Sequence, residues 1–495
     1  MKRKVWTAAA AAALLLVSFP LHAGSDLEHP AHSATAGLKH GQFVSALNGG
    51  NLSVREARQL GLLVFSTPFN TLDGMGDGPF DPAEVNTRVF GHRPTLQGNG
   101  LSLRVNGLDA QSCNECHTIV SHRTLPPTTG IGGVGGIVQN AIIMPSLIDV
   151  ADSFDDRVTF VAGHDPDLPL VFDGVADYNG RFANPPFLFG GGGVELLGKE
   201  MTQDLQALLA QAQAAPAGTV TSLDTHGVNF GTITSLGGGN VDVHNQGVND
   251  DLVVRPFGRK GENFSMRDFD RGAMQFHFGI QPVEVVGAHV DEDGDGRKDE
   301  VNEGEMTALH FFDVTNPRPR FVAHDSRAAA GFQVFQNIGC TQCHRPAIAT
   351  RTETVPLAHP EVANDPAANV YTQVDLVEVG FDADPSGPGV IVPLFADLKR
   401  HDMGPRLAET FEARGEIPDE HFTTARLWGI ADTAPYLHDG RATTLTEAID
   451  FHGGEAQSVR DAFFALHKHD QQDLISFLLS LRVPENPNQD LLPIQ

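Results

Sequence analysis

Cys113-Asn114-Glu115-Cys116-His117 and Cys340-Thr341-Gln342-Cys343-His344 decide how this chain is read. Both have the C-x-x-C-H form of a c-type haem attachment site. The spacing has a physical reason. Two thiols three positions apart on one turn can bond the two vinyl groups of one porphyrin, and the adjacent His then lies beneath the iron as proximal ligand. The two sites use all four cysteines, so none remains for a disulfide. A thioredoxin-like pair or half of a zinc site would also use C-x-x-C, but neither requires the His that follows both pairs. The expectation is two covalently bound haem c groups, with His117 and His344 as proximal ligands.

The chain has 495 residues, 34 basic and 62 acidic, for a net charge of −28. That length suggests two to four domains at about 100–200 residues each. Hydrophobic residues are 41% and charged residues 19%, a globular composition. The acidic balance argues against nucleic acid as the main partner, because phosphate neutralisation needs clustered Lys and Arg. It suits a basic partner, such as a small electron carrier of cytochrome c or cupredoxin type. Lys2, Arg3 and Lys4 precede an apolar run over 8–19 and a small residue at Ala23, which reads as an export signal over 1–23. The run is too short for a comfortable membrane span, although an uncleaved anchor is the alternative. Cleavage before Gly24 would take the net charge from −28 to −31 by removing those three basic residues. The expected location is periplasmic, where haem is attached after export.

Residues 24–100 are rich in Gly, Pro and Asp and read as irregular structure with short helices, for instance over 54–59. The Gly-rich stretch 129–136 lacks the Gly-Lys-Ser/Thr ending of a phosphate loop. Leu196, Leu197, Met201, Leu205, Leu208 and Leu209 recur at helical spacing, which predicts a helix over 194–214. Alternating and Gly-rich segments over 217–258 predict a small β-rich insertion. A helix over 326–339, with Phe332 and Phe335 on one face, should run into the second attachment site. Residues 351–395 read as loop-rich, and 444–451 and 470–481 as the last helices. A helix, an attachment site and a terminal helix are what a small fold needs to enclose a porphyrin. The expected fold is mainly α, with two cytochrome c-like haem domains, over 24–325 and 326–495, with long loops and the β-rich insertion in the first.

Thr433-Ala434-Pro435-Tyr436-Leu437-His438-Asp439-Gly440, followed by Thr444-Leu445-Thr446-Glu447-Ala448-Ile449, resembles the bacterial di-haem cytochrome c peroxidase superfamily. That superfamily includes the enzyme that matures methylamine dehydrogenase. His401-Asp402-Met403-Gly404, Leu427-Trp428-Gly429, His438-Asp439-Gly440-Arg441 and His452-Gly453-Gly454-Glu455-Ala456 are similar to its di-haem oxidoreductase branch. Pro186-Phe187-Leu188-Phe189-Gly190 with Val194-Glu195 fits the same branch. The resemblance is strong over 326–482 and patchy over 60–310, and a more distant one links the chain to the di-haem rubber oxygenases. It implies that the distal ligand of the C-terminal haem lies on the helix after the His-Asp-Gly turn. The matching position, fourteen residues after His438, is His452. The implied pair is His344/His452, which favours a lower potential than His/Met ligation. A helix-end role for His452 and ligation by Met403 are the alternatives.

The N-terminal haem is then the reactive one, with His117 proximal and the opposite face open. His122 and His277 are the histidines considered for that face, and the 129–136 loop offers none. Peroxide cleavage needs a group that moves a proton from one oxygen to the other. A carboxylate in an apolar pocket can do so because burial raises its pKa. Glu195 has such a setting after four glycines, and the resemblance implies the same residue. Glu200 is the alternative, and Gln281 and Glu284 are further candidates for the pocket. The competing reading of Glu195 is a carboxylate stabilised by the helix dipole. Relatives place a Trp between the haems, whereas only Trp428 remains after signal removal. Trp428 or Tyr436 would relay the electron, or transfer would run between haem edges; Tyr178 and Tyr371 are the other tyrosines.

Asp291, Asp293, Asp295, the carbonyl of Arg297 and Asp299 follow the ligand order of a calcium loop over 291–303, with Gly296 at its sixth position. Asn302 stands at position 12 instead of Glu, and a solvated acidic turn is the alternative. The expected activity is a periplasmic di-haem oxidoreductase passing electrons from the C-terminal haem to an open N-terminal haem that reduces hydrogen peroxide. Dioxygen-dependent oxidation of an organic substrate and non-enzymatic electron transfer are the alternatives.

Overall fold

The computed structural model describes residues 30–35, 37–76, 110–117, 184–186, 188–322, 326–409, 417–485 and 487–491. Leu103–Arg104, Gly107–Leu108, Ile142–Met144 and Arg181–Ala183 are described as backbone strands. The expected export segment, His122, the 129–136 loop and Tyr178 lie outside the described residues.

The helices are α1 (His40–Asn48), α2 (Val54–Ser66), α3 (Cys113–Cys116), α4 (Gly191–Ala214), α5 (Met266–Ala273) and α6 (Val283–Val286). They continue as α7 (Glu303–Val314), α8 (Arg327–Asn337), α9 (Leu445–Asp450), α10 (Gln457–Ala465) and α11 (Lys468–Leu478). Local chemistry explains several starts. Ser53 with Glu56 caps α2 and Thr444 with Glu447 caps α9, each pair satisfying two otherwise orphaned backbone donors. At α7 the Glu305 carboxylate accepts from the Asn302 amide at 2.8 Å.

The expected helix over 194–214 is α4, and its first half is buried on every side. Such a helix runs through a core rather than over one. One flank packs on the antiparallel sheet Val220–Thr225, Val228–Gly237 and Asn240–Asn245, the expected β-rich insertion. The other flank meets the strand Thr354–Ala358, which pairs with Val370–Asp375. Val194, Leu197, Met201 and Leu205 thus share one core with Phe230 and Ile233 and with Val355, Leu357, Val392 and Trp428. Residues 351–395 therefore carry strands where the sequence reads as loops. The Pro- and Asp-rich turns between them mask short stretches such as Val390–Val392, which pairs with Asp382–Ala383 on one side and with the more distant Ile348–Ala349 on the other. The core also crosses residue 325, the expected boundary.

Two smaller clusters hold the two C-x-x-C-H motifs. Cys116 packs with Phe65, Phe69, Met274, Phe278 and Phe312. Phe335, Phe395, Tyr436, Phe463, Leu474 and Phe477 surround the C-terminal site, with Cys340 packed against them.

Candidate functional site: two adjoining haem sites

Cys340, Cys343, His344, Met403, His438 and His452 line a cavity of about 380 Å³. The His344 Nδ1 lies 3.1 Å from the Phe395 carbonyl, and the His452 Nδ1 lies 2.8 Å from the Ala448 carbonyl. A carbonyl can only accept, so each Nδ1 carries the proton and each Nε2 keeps its lone pair. The two ring centroids are 6.3 Å apart. A metal between two imidazoles needs about 6.2 Å: two bonds of about 2 Å each plus about 1.1 Å from each nitrogen to its ring centre. Burial lowers His344 to about 4, with His452 adding to the shift against the Phe395 hydrogen bond. Burial also lowers His452. Both rings are thus neutral, as ligation requires. Met403 lies on the same cavity wall.

His401, beside this cavity, is held differently. Its Nε2 lies 3.0 Å from Asp397 and its Nδ1 2.8 Å from Glu455. Burial opposes charging, but the hydrogen bond and charge of Asp397 raise His401. It is an imidazolium set between two carboxylates.

At the N-terminal site the short α3 carries Cys113 and Cys116, and His117 follows as its cap. The His117 Nδ1 donates to the Pro186 carbonyl at 2.7 Å, again freeing Nε2. Burial lowers His117 to about 4, and the nearby His277 adds to the shift. His277 sits on a π-turn, Met274–Phe278, that continues α5. Such turns recur at functional sites because the extra residue re-aims a side chain. The structure therefore brings His277 into the neighbourhood of His117.

Glu195 is fully buried, but its environment corrects the expectation for it. Lys199 Nζ lies 2.6 Å from its Oε1, His310 Nε2 3.1 Å from its Oε2, and the Met266 amide 2.9 Å from Oε2. Burial alone would raise this carboxyl, yet Lys199 and His310 hold it well below the ordinary carboxylate range. Glu195 is a fixed anion that ties α4, α5 and α7 together. Glu200 faces away, accepting from the Arg351 amide at 2.8 Å and the Thr352 amide at 3.1 Å. Glu284 pairs with the buried Arg267 at 2.5 Å, and the Gln281 amide donates to Glu300 at 2.8 Å.

The sequence reading missed a pair of acids. Asp270 on α5 and Asp313 on α7 are both buried, and each bears electrostatically on the other. Burial and the facing acid raise Asp270 well above its usual range, against the pull of Arg267. Asp313 is also raised, by burial and by Glu195, with the facing Asp270 opposing the shift. Two carboxylates have no donor to share, so one of the two holds a proton. Both lie within electrostatic reach of Cys113, and Phe269, beside Asp270, meets the His117 ring edge-on at 6.3 Å. Only the α5–α7 crossing creates the pair, since the residues are far apart in sequence.

The two C-x-x-C-H sites adjoin. Pro186, whose carbonyl holds His117, also lines the cavity around Cys340 and His344. Asn184 donates to the Pro435 and Leu437 carbonyls, each at 2.9 Å. Trp428 packs against Gly190, the residue that opens α4. A Cβ there would lie 2.6 Å from the indole, and the backbone has φ +77°, so both facts demand glycine. Leu427 lines the C-terminal cavity, so Trp428 sits between that cavity and α4.

In the acidic loop, ligand atoms of Asp291, Asp293 and Asp295 lie within 4.8 Å of one another. Asp299 departs from the expected set: it accepts from the amide and Nδ1 of His289, each at 2.6 Å. Burial, reinforced by Asp293, Asp295 and Asp291, raises Glu300 to about 9 against the hydrogen bond from Gln281.

Among the described residues no helix is long and apolar enough to cross a membrane. Residues 388–481 match the family described as "Di-haem oxidoreductase, putative peroxidase". The chain is 27% identical over 179 residues to the cytochrome-c peroxidase IdrP2 of Pseudomonas sp. (strain SCT), covering 34% of this chain. The match spans 44% of that relative, less than half its length. Solved structures with similarity include a hydrazine synthase of Kuenenia stuttgartiensis, 14% identical over 87% of this chain and 93% of that one, with a TM-score of 0.30. Another is a MauG-like protein associated with microbial copper homeostasis, 15% identical over 61% and 91% of the two chains, with a TM-score of 0.23.

Proposed function

Residues 388–481 and the peroxidase relative make this chain a member of the di-haem oxidoreductase and peroxidase superfamily, and from that premise we propose that it is an exported di-haem c-type peroxidase. Reduction of hydrogen peroxide to two waters consumes two electrons and two protons. Bound haem iron would supply the redox centre at each site, saturated at the C-terminal one and open at the N-terminal one. Cys113 and Cys116 would hold one porphyrin and Cys340 and Cys343 the other. His344 and His452 would ligate the second iron, a reading supported by the ring separation of 6.3 Å. His117 would ligate the first, with Pro186 fixing its tautomer and plane.

The observation that carries this reading is Pro186. One residue braces the ligand of the N-terminal site and walls the cavity of the C-terminal site. Electrons delivered by a small periplasmic carrier to the C-terminal site would have a short path onward, with Trp428 beside it. The proton-holding pair Asp270–Asp313 takes the role expected of Glu195. A carboxyl kept protonated by its twin can donate and recover a proton near neutral pH. Glu195, Lys199 and His310 hold the helices that carry the pair.

A second reading has its own support, since His277 lies near His117. If His277 closes the N-terminal iron, the chain is an electron-transfer cytochrome or needs that ligand displaced before turnover. Carbon monoxide added to the fully reduced holoprotein separates the two. The peroxidase reading expects one equivalent bound per chain and rapid reoxidation by peroxide. No binding and no reoxidation would refute it.

A further inference from the structure

Glu300 is 2% exposed, and its Oε1 has no hydrogen-bond partner. Its other oxygen accepts from the Gln281 amide at 2.8 Å. A buried acceptor left without a donor is costly unless something else satisfies it. The charges that bear on Glu300 are those of Asp291, Asp293 and Asp295, whose carboxylates converge in the adjacent loop. Asp293 itself is 0% exposed. A lysine or arginine is not what this cluster encloses. Arg297 and Lys298 are exposed, and the inner donors are oxygens alone.

We propose that Asp291, Asp293, Asp295, Glu300 and the Arg297 carbonyl bind one calcium ion, with Glu300 taking the acidic position that Asp299 leaves vacant. All donors are hard oxygens, and four are anionic, which is calcium chemistry. Magnesium keeps much of its water and holds a stricter octahedron, so a cage of protein oxygens disfavours it. Asp299 instead closes the base of the loop through His289.

The ion would act as a clamp on the wall of the N-terminal haem site. Glu300 precedes Val301, whose carbonyl accepts from the Val283 amide at 2.9 Å, and α7 starts at Glu303. Gly74 lies over the Glu300 carboxyl with φ +99°, and a side chain there would collide with it. The Gly76 amide donates to the Phe278 carbonyl at 2.7 Å. Three segments that frame Phe69, Met75 and Phe278 thus meet at one carboxylate.

Calorimetric titration of the chelator-treated holoprotein with CaCl2, together with thermal unfolding, tests this. The wild type should bind calcium and unfold at a higher temperature with it, and magnesium should bind at least about tenfold more weakly. Glu300→Gln should weaken calcium binding by about tenfold or more, and Asp299→Asn should leave it within about twofold. Asp295→Asn, at an exposed position, should weaken binding without endangering the fold. Wild-type affinity in Glu300→Gln overturns the assignment. So does equal weakening by Asp299→Asn, or the absence of heat and of a thermal shift at millimolar calcium.

Discussion

Glu195 and Asp313 show how neighbours, more than burial, set the role of a buried acid. Glu195 faces a buried cation, and Asp313 faces another acid. Glu195→Gln would break the closer of the two buried pairs of Lys199, leaving only Glu361 at 3.6 Å, and breaking such a pair costs up to about 3–5 kcal/mol. Urea unfolding should register that loss. Asp313→Asn keeps the shape and supplies an amide donor to Asp270. Peroxide turnover should fall about 10²–10⁴-fold, because the transferable proton is gone. Stability should hold or rise, since one buried carboxyl is removed. Lost turnover at unchanged stability in Glu195→Gln would return the role to Glu195. The burial of Glu195 is legible in its Gly-rich and Leu-rich flanks, and Lys199 is one helical turn away. His310 is separated from it by 115 residues, so no local pattern could supply that partner.

At the level of elements, α4, α5 and α7 form the frame, and the π-turn after α5 aims His277. The period of apolar residues predicts α8, which has one buried face, and α4, whose second half alternates buried and exposed positions although its first half is buried throughout. It misses α7, which is buried on nearly all sides and so shows no amphipathic alternation. Helix contacts also place titratable groups. His40, at the start of α1, lies 2.8 Å from Thr307 on α7, and burial, His359 and Arg267 lower it to about 4 against Glu284. His438 is stacked on Phe422 with centroids 4.5 Å apart. Burial lowers it to about 4 as well, with Arg259 and Arg441 adding to the shift and Asp439 and Glu409 opposing it. In the unfolded chain both would titrate near 6.5. Between those values the unfolded state binds more protons, so stability should fall as pH drops from about 6.5 to about 4. Thermal unfolding across that range should show the decline. A shallower decline in the double variant His40→Gln/His438→Gln would confirm their share, and an unaltered slope would exclude it.

Over the whole molecule the net charge of −28 acts at a range that individual contacts do not. Reduction by a small basic cytochrome should slow steeply as ionic strength rises from about 0.01 to 0.15 M, because the screening length shrinks from about 30 Å to about 8 Å. Stopped-flow rates with no salt dependence would remove steering from the scheme. At this scale the expected division at residue 325 does not partition the core, since α4 packs on strands from both sides of it. The chain sequence alone determined the two C-x-x-C-H motifs, the acidic character, the acidic loop and several helices. These are written in contiguous residues, where spacing, charge and periodicity are visible. The tertiary structure alone decided that Pro186 touches both C-x-x-C-H sites, that Asp270 meets Asp313, and that Glu300 is buried beside the acidic loop while Asp299 pairs with His289. Each of those depends on segments distant along the chain being pressed together by burial, and a one-dimensional pattern carries no record of which buried faces will meet.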